Sequence, residues 1–301
     1  MSDPSYLRLA ATGELEARAR ALTEELRSCA LCPRECAADR ADPRLAFCGV
    51  GLKALVSSAQ PHFGEEPPIT GTRGSGTIFF AGCNLRCWFC QNADISHGRA
   101  GRPVDAGHLA ALMLHLQSLG CHNINLVTPT HVVPQILAAL VLAVEGGLSI
   151  PLVYNSGGYD SIRTLRLLEG VVDIYMPDLK YADPGSARRL SAAPDYPEAA
   201  RAALKEMYRQ VGDLLTDSEG VAVKGLLVRH LVLPGDQAGT LECMRFLARE
   251  LSPGTCVNIM AQYRPLYKSW RRSEVDRSLR AEEYETALEA ARQAGIRRLV
   301  R

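Results

Sequence analysis

The sequence predicts an α/β fold: a partial or complete parallel β/α barrel with a small cysteine-rich extension at its N-terminus. Three observations lead there. From Thr77 onward, apolar strands alternate with helical stretches at a spacing that implies a parallel sheet with right-handed crossovers. No phosphate-loop or G-x-G-x-x-G pattern follows the first of these strands, which argues against a nucleotide-binding doubly wound sheet. A cysteine-bearing loop does follow it, and a β/α barrel places its site at the C-terminal ends of its strands.

The elements follow in order. Residues 13–28 read as a helix, because Leu15, Ala19, Leu22 and Leu26 recur at helical spacing among Glu and Arg. A cysteine-rich segment with little periodicity runs from Cys29 to Gly51, and a loop rich in Pro and Gly is expected from Gln60 to Gly76. Strands are expected at Thr77–Ala81, Asn123–Val127, Leu152–Asn155, Val172–Met176, Gly225–Leu233, Cys256–Met260 and Arg297–Val300. The intervening helices are expected at Ala106–Leu119, Val132–Val144, Ser161–Leu168, Pro197–Leu215, Thr240–Leu251 and Ala281–Ala294. The chain has no internal repeat and no long low-complexity run. Its 301 residues suffice for one large domain with an appendage, divided here into residues 1–60 (N-terminal helix and cysteine-rich extension) and 61–301 (barrel core).

The hydrophobic fraction of 47% and charged fraction of 22% are those of a soluble globular protein. Net charge is +1, from 34 basic and 33 acidic residues, so no global field favours nucleic acid or membrane as a partner. The N-terminus, Met1 to Tyr6, lacks the basic-then-apolar pattern of a secretory signal. The longest apolar run, Ile136 to Val144, is far short of the roughly twenty residues that span a bilayer. Ten cysteines in such a chain point to metal ligation in a reducing cytoplasm.

Cys83, Cys87 and Cys90 lie in Gly82-Cys83-Asn84-Leu85-Arg86-Cys87-Trp88-Phe89-Cys90, directly after the first strand. Three thiolates on one short loop can hold three irons of a [4Fe–4S] cube and leave the fourth without a protein ligand. Half a zinc site, buried thiols and disulfides are the alternatives, although structural zinc prefers four ligands. A second set, Cys29, Cys32, Cys36 and Cys48, falls within twenty residues. It suits a closed zinc site, an auxiliary iron–sulfur cluster or, for some members, buried thiols, and spacing does not choose between the metals. The isolated Cys121, Cys243 and Cys256 read as core thiols. Lys268-Ser269-Trp270-Arg271-Arg272 reads as a solvated basic loop or an anionic partner's contact, and the preceding Ala261–Pro265 as lining for a substrate mouth.

The C-x3-C-x2-C loop resembles the signature of the radical S-adenosylmethionine (SAM) superfamily. Most of the chain resembles its pyruvate formate-lyase activating enzyme branch, within a subgroup of activating-enzyme homologues. The likeness rests on the cysteine loop, on Cys29 to Cys36 with Phe47-Cys48-Gly49, and on Glu66-Pro67-Pro68-Ile69-Thr70-Gly71 and Gly74 to Phe80. It continues through Asn123 to His131, Tyr154 to Tyr159, Asp173 to Lys180 and Val228 to Gly235. The resemblance implies a [4Fe–4S] cluster whose open iron binds SAM, and reductive cleavage of SAM to a 5′-deoxyadenosyl radical that abstracts hydrogen. It implies a glycine of a partner glycyl radical enzyme as target and a reductant such as flavodoxin or ferredoxin. The alternatives are another peptide or a small metabolite as substrate, or an iron–sulfur electron-transfer protein without catalysis.

The resemblance also assigns site residues. Phe89 stands where the family sets an aromatic ring against the adenine, or packs beneath the loop. The family's Gly-Gly-Glu turn, which contacts the SAM amino group, is replaced by Thr128-Pro129-Thr130-His131, leaving the Thr128 and Thr130 hydroxyls as contacts and His131 as a local polar group. Asn155 and Ser156 end the next strand and either bond SAM or only make a turn. Asp178 and Lys180 resemble the Asp-Leu-Lys of the activating enzymes and could pair with each other. Arg229, flanked by apolar residues on a strand, needs a partner, either a carboxylate of SAM or an acidic side chain.

Overall fold

A computed structural model describes residues 3–42, 44 and 46–300. Residues 1 and 2, and 43 and 45 of the expected extension, lie outside the described residues, as does residue 301 of the expected core. The chain begins with helices α1 (Tyr6–Ala11) and α2 (Glu14–Glu24). Strand β1 (Ala54–His62), helix α3 (Pro67–Thr70), strand β2 (Ser75–Phe80), helix α4 (Ala93–Ser96) and strand β3 (Arg102–Val104) follow. Next come α5 (Ala106–Ser118), β4 (Ile124–Val127), α6 (Val133–Glu145), β5 (Leu152–Asn155), α7 (Ile162–Leu167) and β6 (Ile174–Tyr175). The chain ends with α8 (Pro184–Ser191), α9 (Tyr196–Val211), β7 (Leu215–Thr216), β8 (Ala222–Leu231), α10 (Thr240–Phe246), β9 (Cys256–Met260), α11 (Ala281–Ala294) and β10 (Arg298–Val300).

Nine strands form one path, β10-β9-β8-β6-β5-β4-β2-β1-β3, with β7 paired to β8. From β2 to β10 every pairing on this path is parallel. β1 runs antiparallel to both β2 and β3. The path has β10 and β3 at its two ends, so the barrel is partial, and the expected α/β class with a mostly parallel sheet is the one observed.

Alternation along the strands sorts side chains to two faces. Leu126, Tyr154, Tyr175, Val228, Val257 and Ile259 join the main core. Val153, Ile174, Met176, Leu227 and Cys256 share a second core with Ile69 of α3. The expected Gln60–Gly76 loop is therefore corrected: β1 extends to His62, α3 intervenes, and β2 already starts at Ser75. Pro67 and Pro68 pre-set the first turn of α3. Ile69, fully buried, plugs the concave side of the sheet.

Other boundaries also shift. The helix expected to reach Leu215 ends at Val211, where Gly212 turns the chain with φ 69°. The helix expected to reach Leu251 is α-helical only to Phe246 and finishes as a π turn. Strands β1, β3 and β7 and helices α1, α3, α4 and α8 were not expected; all but β1 and α8 span six residues or fewer, too short to show a period. Residue 60, the expected division, lies inside β1, and Tyr6, Leu9 and Leu22 of the N-terminal helices belong to the main core. Among the described residues no helix is long and apolar enough to cross a membrane.

Candidate active site

The loop after β2 opens at Gly82, whose φ is 85°. A Cβ there would stand 2.5 Å from Val50 Cγ2 and 2.9 Å from the Cys48 carbonyl oxygen, so only glycine allows the N-terminal segment to approach this closely. Cys83, Cys87 and Cys90 then line a cavity of about 250 Å³. Phe89, Thr128, Asn155, Ser156, Asp178, Lys180 and Arg229 line the same cavity. Seven of the eight non-cysteine positions singled out in the sequence thus meet in one place. Thr130 stands apart: it is buried, and its hydroxyl donates to Asp160 Oδ1 at 2.6 Å. Phe89 both lines the cavity and packs edge-on against Tyr263, with ring centroids 5.6 Å apart.

An ionic network crosses the cavity wall. Asp178 accepts from Lys180 Nζ at 2.5 Å through Oδ2 and from Arg229 Nε at 3.0 Å through Oδ1. Arg229 also donates through Nη2 to Asn155 Oδ1 at 2.6 Å and faces Glu65 at 3.7 Å. The partner that Arg229 requires is thus supplied by the chain itself. Burial alone would raise the Asp178 carboxyl, but Arg229 and Lys180 outweigh it and hold it below the usual carboxylate range. Burial opposes the Lys180 charge in the same way, yet Asp178 and then Cys87 keep it raised.

The residues sequence reasoning missed are hydroxyls and one carboxylate. Ser191 Oγ donates to Cys87 Sγ at 3.0 Å, and Ser96 Oγ lies 3.1 Å from Cys90 Sγ. Asp160, fully enclosed, accepts from Thr130, from Tyr154 at 2.9 Å and from Ser156 Oγ at 2.6 Å, and so fixes a cavity residue from behind. The aspartate's position after Asn155-Ser156-Gly157-Gly158-Tyr159 was the only available signal. His131 is buried, and its Nε2 donates to the Ala81 carbonyl at 2.9 Å. It is a brace for the cysteine loop, matching its reading as a local polar contact.

The donor set suits an iron–sulfur cube. Burial, then Cys87, pushes the Cys83 thiol up to about 12, and burial raises Cys87 as well. A bound cationic metal group would hold both as thiolates. Among the described residues no three His, Cys, Asp or Glu side chains converge on a single ion's position. Three thiols lining one cavity are the donor set that three irons of one cube take. Cys29, Cys32 and Cys48 are buried and Cys36 is exposed. Burial pushes Cys32 up to about 12 and raises Cys48, with Cys29 adding to both. Arg40, itself enclosed, reaches Cys29 Sγ at 3.5 Å and the His131 carbonyl at 3.1 Å. A larger groove of about 700 Å³ lies between α10 and α11, but it brings no thiol or imidazole to its walls. The chemistry, not the volume, locates the site.

The fold and site define an α/β protein: a partial parallel barrel with three cysteines on the loop after its first parallel strand. Residues 77–236 match the family model described as the Radical SAM superfamily, and the chain belongs to that superfamily. An uncharacterized protein of Methanocaldococcus jannaschii, MJ0674, is 32% identical over 275 residues, covering 88% of this chain and 74% of that protein. The Streptococcus suis protein SuiB, in a crystal structure bound to precursor peptide SuiA, is a structural neighbour with a TM-score of 0.48 and 14% identity. That match covers 72% of this chain and 46% of SuiB, so the chain spans less than half of SuiB's length.

Proposed function

We propose that this protein cleaves SAM reductively and directs the resulting radical at a hydrogen atom of a second molecule. The observation that carries the reading is the convergence of Cys83, Cys87 and Cys90 with Asn155, Ser156, Asp178 and Lys180 on one cavity. Cys83, Cys87 and Cys90 would hold a [4Fe–4S] cluster, which when bound with SAM supplies the electron that breaks a carbon–sulfur bond. The chain's own work is binding and orientation. Ser96 and Ser191 offer hydroxyls to two ligand sulfurs, and hydrogen bonds at the sulfurs tune a cluster's potential. Asn155, Ser156 and the Thr128 turn provide polar contacts for the ribose and the amino-acid end of SAM, and Phe89 an apolar face for its adenine. Lys180 lines the cavity paired to Asp178, so a carboxylate of SAM would share its ammonium with that side chain.

The substrate proposed is a backbone glycine of a partner protein, in keeping with the resemblance to the formate-lyase activating branch. The replacement of its Gly-Gly-Glu turn by Thr128-Pro129-Thr130-His131 keeps a second reading open: another peptide or a small metabolite. Cys29, Cys32, Cys36 and Cys48, on a segment packed into the main core, are proposed to take up zinc or an auxiliary cluster, with the exposed Cys36 moving in to complete the set. The support is that Cys29, Cys32 and Cys48 are buried neighbours. Metal analysis of the purified protein, with and without Cys29→Ala and Cys48→Ala, tests it.

The central test is anaerobic. Protein reconstituted with iron and sulfide, reduced and given SAM is expected to release 5′-deoxyadenosine, and a Cys83→Ala/Cys87→Ala/Cys90→Ala variant is expected to release none. A protein that holds a reducible four-iron cluster whose spectrum SAM does not perturb would sink the reading in favour of electron transfer alone.

A further inference from the structure

The segment after β9 lies along the outside of the cysteine loop. Gln262 accepts through its carbonyl from Gln91 Nε2 at 3.0 Å, and Lys268 N donates to the Trp88 carbonyl at 3.0 Å. Tyr267 stacks on His97 with centroids 4.7 Å apart, and the Arg272 guanidinium sits 4.5 Å over the Trp88 ring. Trp88 lies between Cys87 and Cys90, so the segment is fastened to the stretch that carries two cluster ligands.

Its outer surface has an unusual composition. Among the described residues, three of the nine large hydrophobic side chains that stand exposed are Leu266, Tyr267 and Trp270, and the other six are scattered. Trp270 is 62% exposed. Solitary exposed hydrophobes are ordinary, whereas a cluster marks an interaction surface. Around it stand Arg264, Lys268, Arg271 and Arg272, with no acidic residue from 264 to 272. Among the described residues none of these four cations is in a salt bridge, although most other arginines of the chain's surface helices are. An apolar centre with Lys268 and Arg271 lying over its Tyr267 and Trp270 rings, and no carboxylate paired to either cation, is complementary to an acidic protein surface.

The position selects the kind of acidic protein. A substrate has to reach the cavity, and Leu266 to Arg272 line none of it; of this segment only Gln262 does. What the segment does touch is the loop between two cluster ligands. We propose that Leu266 to Arg272 is the docking surface for an acidic one-electron carrier protein, which passes its electron to the cluster across Trp88. The inference rests on the reading that Cys83, Cys87 and Cys90 hold that cluster. In the step the carrier's reduced flavin or iron–sulfur group loses one electron and the cluster gains it, with no bond made or broken.

The test compares two reductants on the reconstituted protein, followed by cluster absorbance in a stopped-flow instrument. One is a flavodoxin poised as its hydroquinone, the other photoreduced deazaflavin, which needs no docking surface. Lys268→Glu/Arg271→Glu is expected to slow reduction by flavodoxin about tenfold or more at low salt and leave deazaflavin reduction unchanged. Raising salt is expected to slow the flavodoxin reaction of the unsubstituted protein and to have little effect on the variant. Binding of oxidised flavodoxin, followed by calorimetry, should weaken in parallel. Equal flavodoxin rates in the two proteins would overturn the assignment and leave the surface to a macromolecular substrate. Should the double reversal fail to hold a cluster, Lys268→Gln/Arg271→Gln, which keeps Arg272 on Trp88, is read in the same way. A protein that shows no reducible cluster with either reductant contradicts the cofactor reading instead.

Discussion

Arg229 donates through Nε to Asp178 Oδ1 at 3.0 Å, joining the ends of β8 and of the segment after β6 inside the barrel. The same carboxylate takes Lys180 on its other oxygen. One half-buried anion thus holds two half-buried cations, with Glu65 and Asn155 completing the shell of Arg229. Removing the shared anion should therefore cost more than removing either cation.

Asp178→Ala is expected to lower unfolding free energy by about 1–3 kcal/mol, because it leaves Lys180 without its partner and Arg229 with only Glu65 and Asn155. Asp178→Asn, which keeps a hydrogen-bond acceptor, should cost less. Urea unfolding of the single variants and of Asp178→Asn/Arg229→Met checks this. Additive losses in that cycle would show that the pair is not coupled. The folded carboxyl is held below its ordinary value, so its stabilisation is complete at neutral pH and fades as pH falls below the unfolded value near 4.

Asp160 gives a second prediction, this time about the site. It accepts three hydroxyls, two of them, from Thr130 and Ser156, at 2.6 Å. Asp160→Asn exchanges an ionic acceptor for a neutral one and should cost about 1–3 kcal/mol. Ser156 lines the cavity and Asp160 does not, so the variant should bind SAM more weakly while its cluster content stays unchanged. Equal SAM affinity would show that Ser156 is held by the backbone alone.

The ease with which these residues were found in the sequence differs, and the difference is physical. Asn155 and Asp178 stand at or just past the ends of short, continuously apolar runs and Arg229 interrupts another, and a polar residue at such a place in a buried parallel strand announces a site. Cys83, Cys87 and Cys90 carried their chemistry in their spacing. Ser191 could not be found that way: it reaches Cys87 from 104 residues away, a proximity that only the packing of α8 creates. The plug α3 was hidden because Pro67-Pro68 reads as loop, while its burial depends on the concave face of strands that lie later in the chain. Strand β1 was missed because its burial pattern does not alternate cleanly over nine residues.

His131 provides a pH test. Burial lowers its pKa from 6.5 to about 4, with the Ala81 hydrogen bond working against the shift. The folded protein therefore keeps the ring neutral while the unfolded chain binds a proton below pH 6.5. Stability should fall as pH drops from about 6.5 to about 4 and then level off, by about 3 kcal/mol in total. His131→Gln should abolish this component, while the Asp178 component at lower pH persists. Unfolding midpoints at a series of pH values in the two proteins separate the two groups.

Thr128 yields the last prediction. It is β-branched and yet has φ +60°, a left-handed conformation that costs such a residue about 1–2 kcal/mol. Its backbone N–H is held by the Asn155 carbonyl at 2.8 Å, so the turn is fixed by the sheet and not by the residue's own preference. Thr128→Gly relieves the strain and is expected to raise stability by about 1 kcal/mol, net of the added freedom of glycine in the unfolded chain. If the side chain of this cavity-lining residue is kept there for binding, the same variant should lose SAM affinity. Stability up with affinity down would show strain retained for function. Both quantities falling would mean that the Thr128 side chain contributes more to packing than its backbone costs.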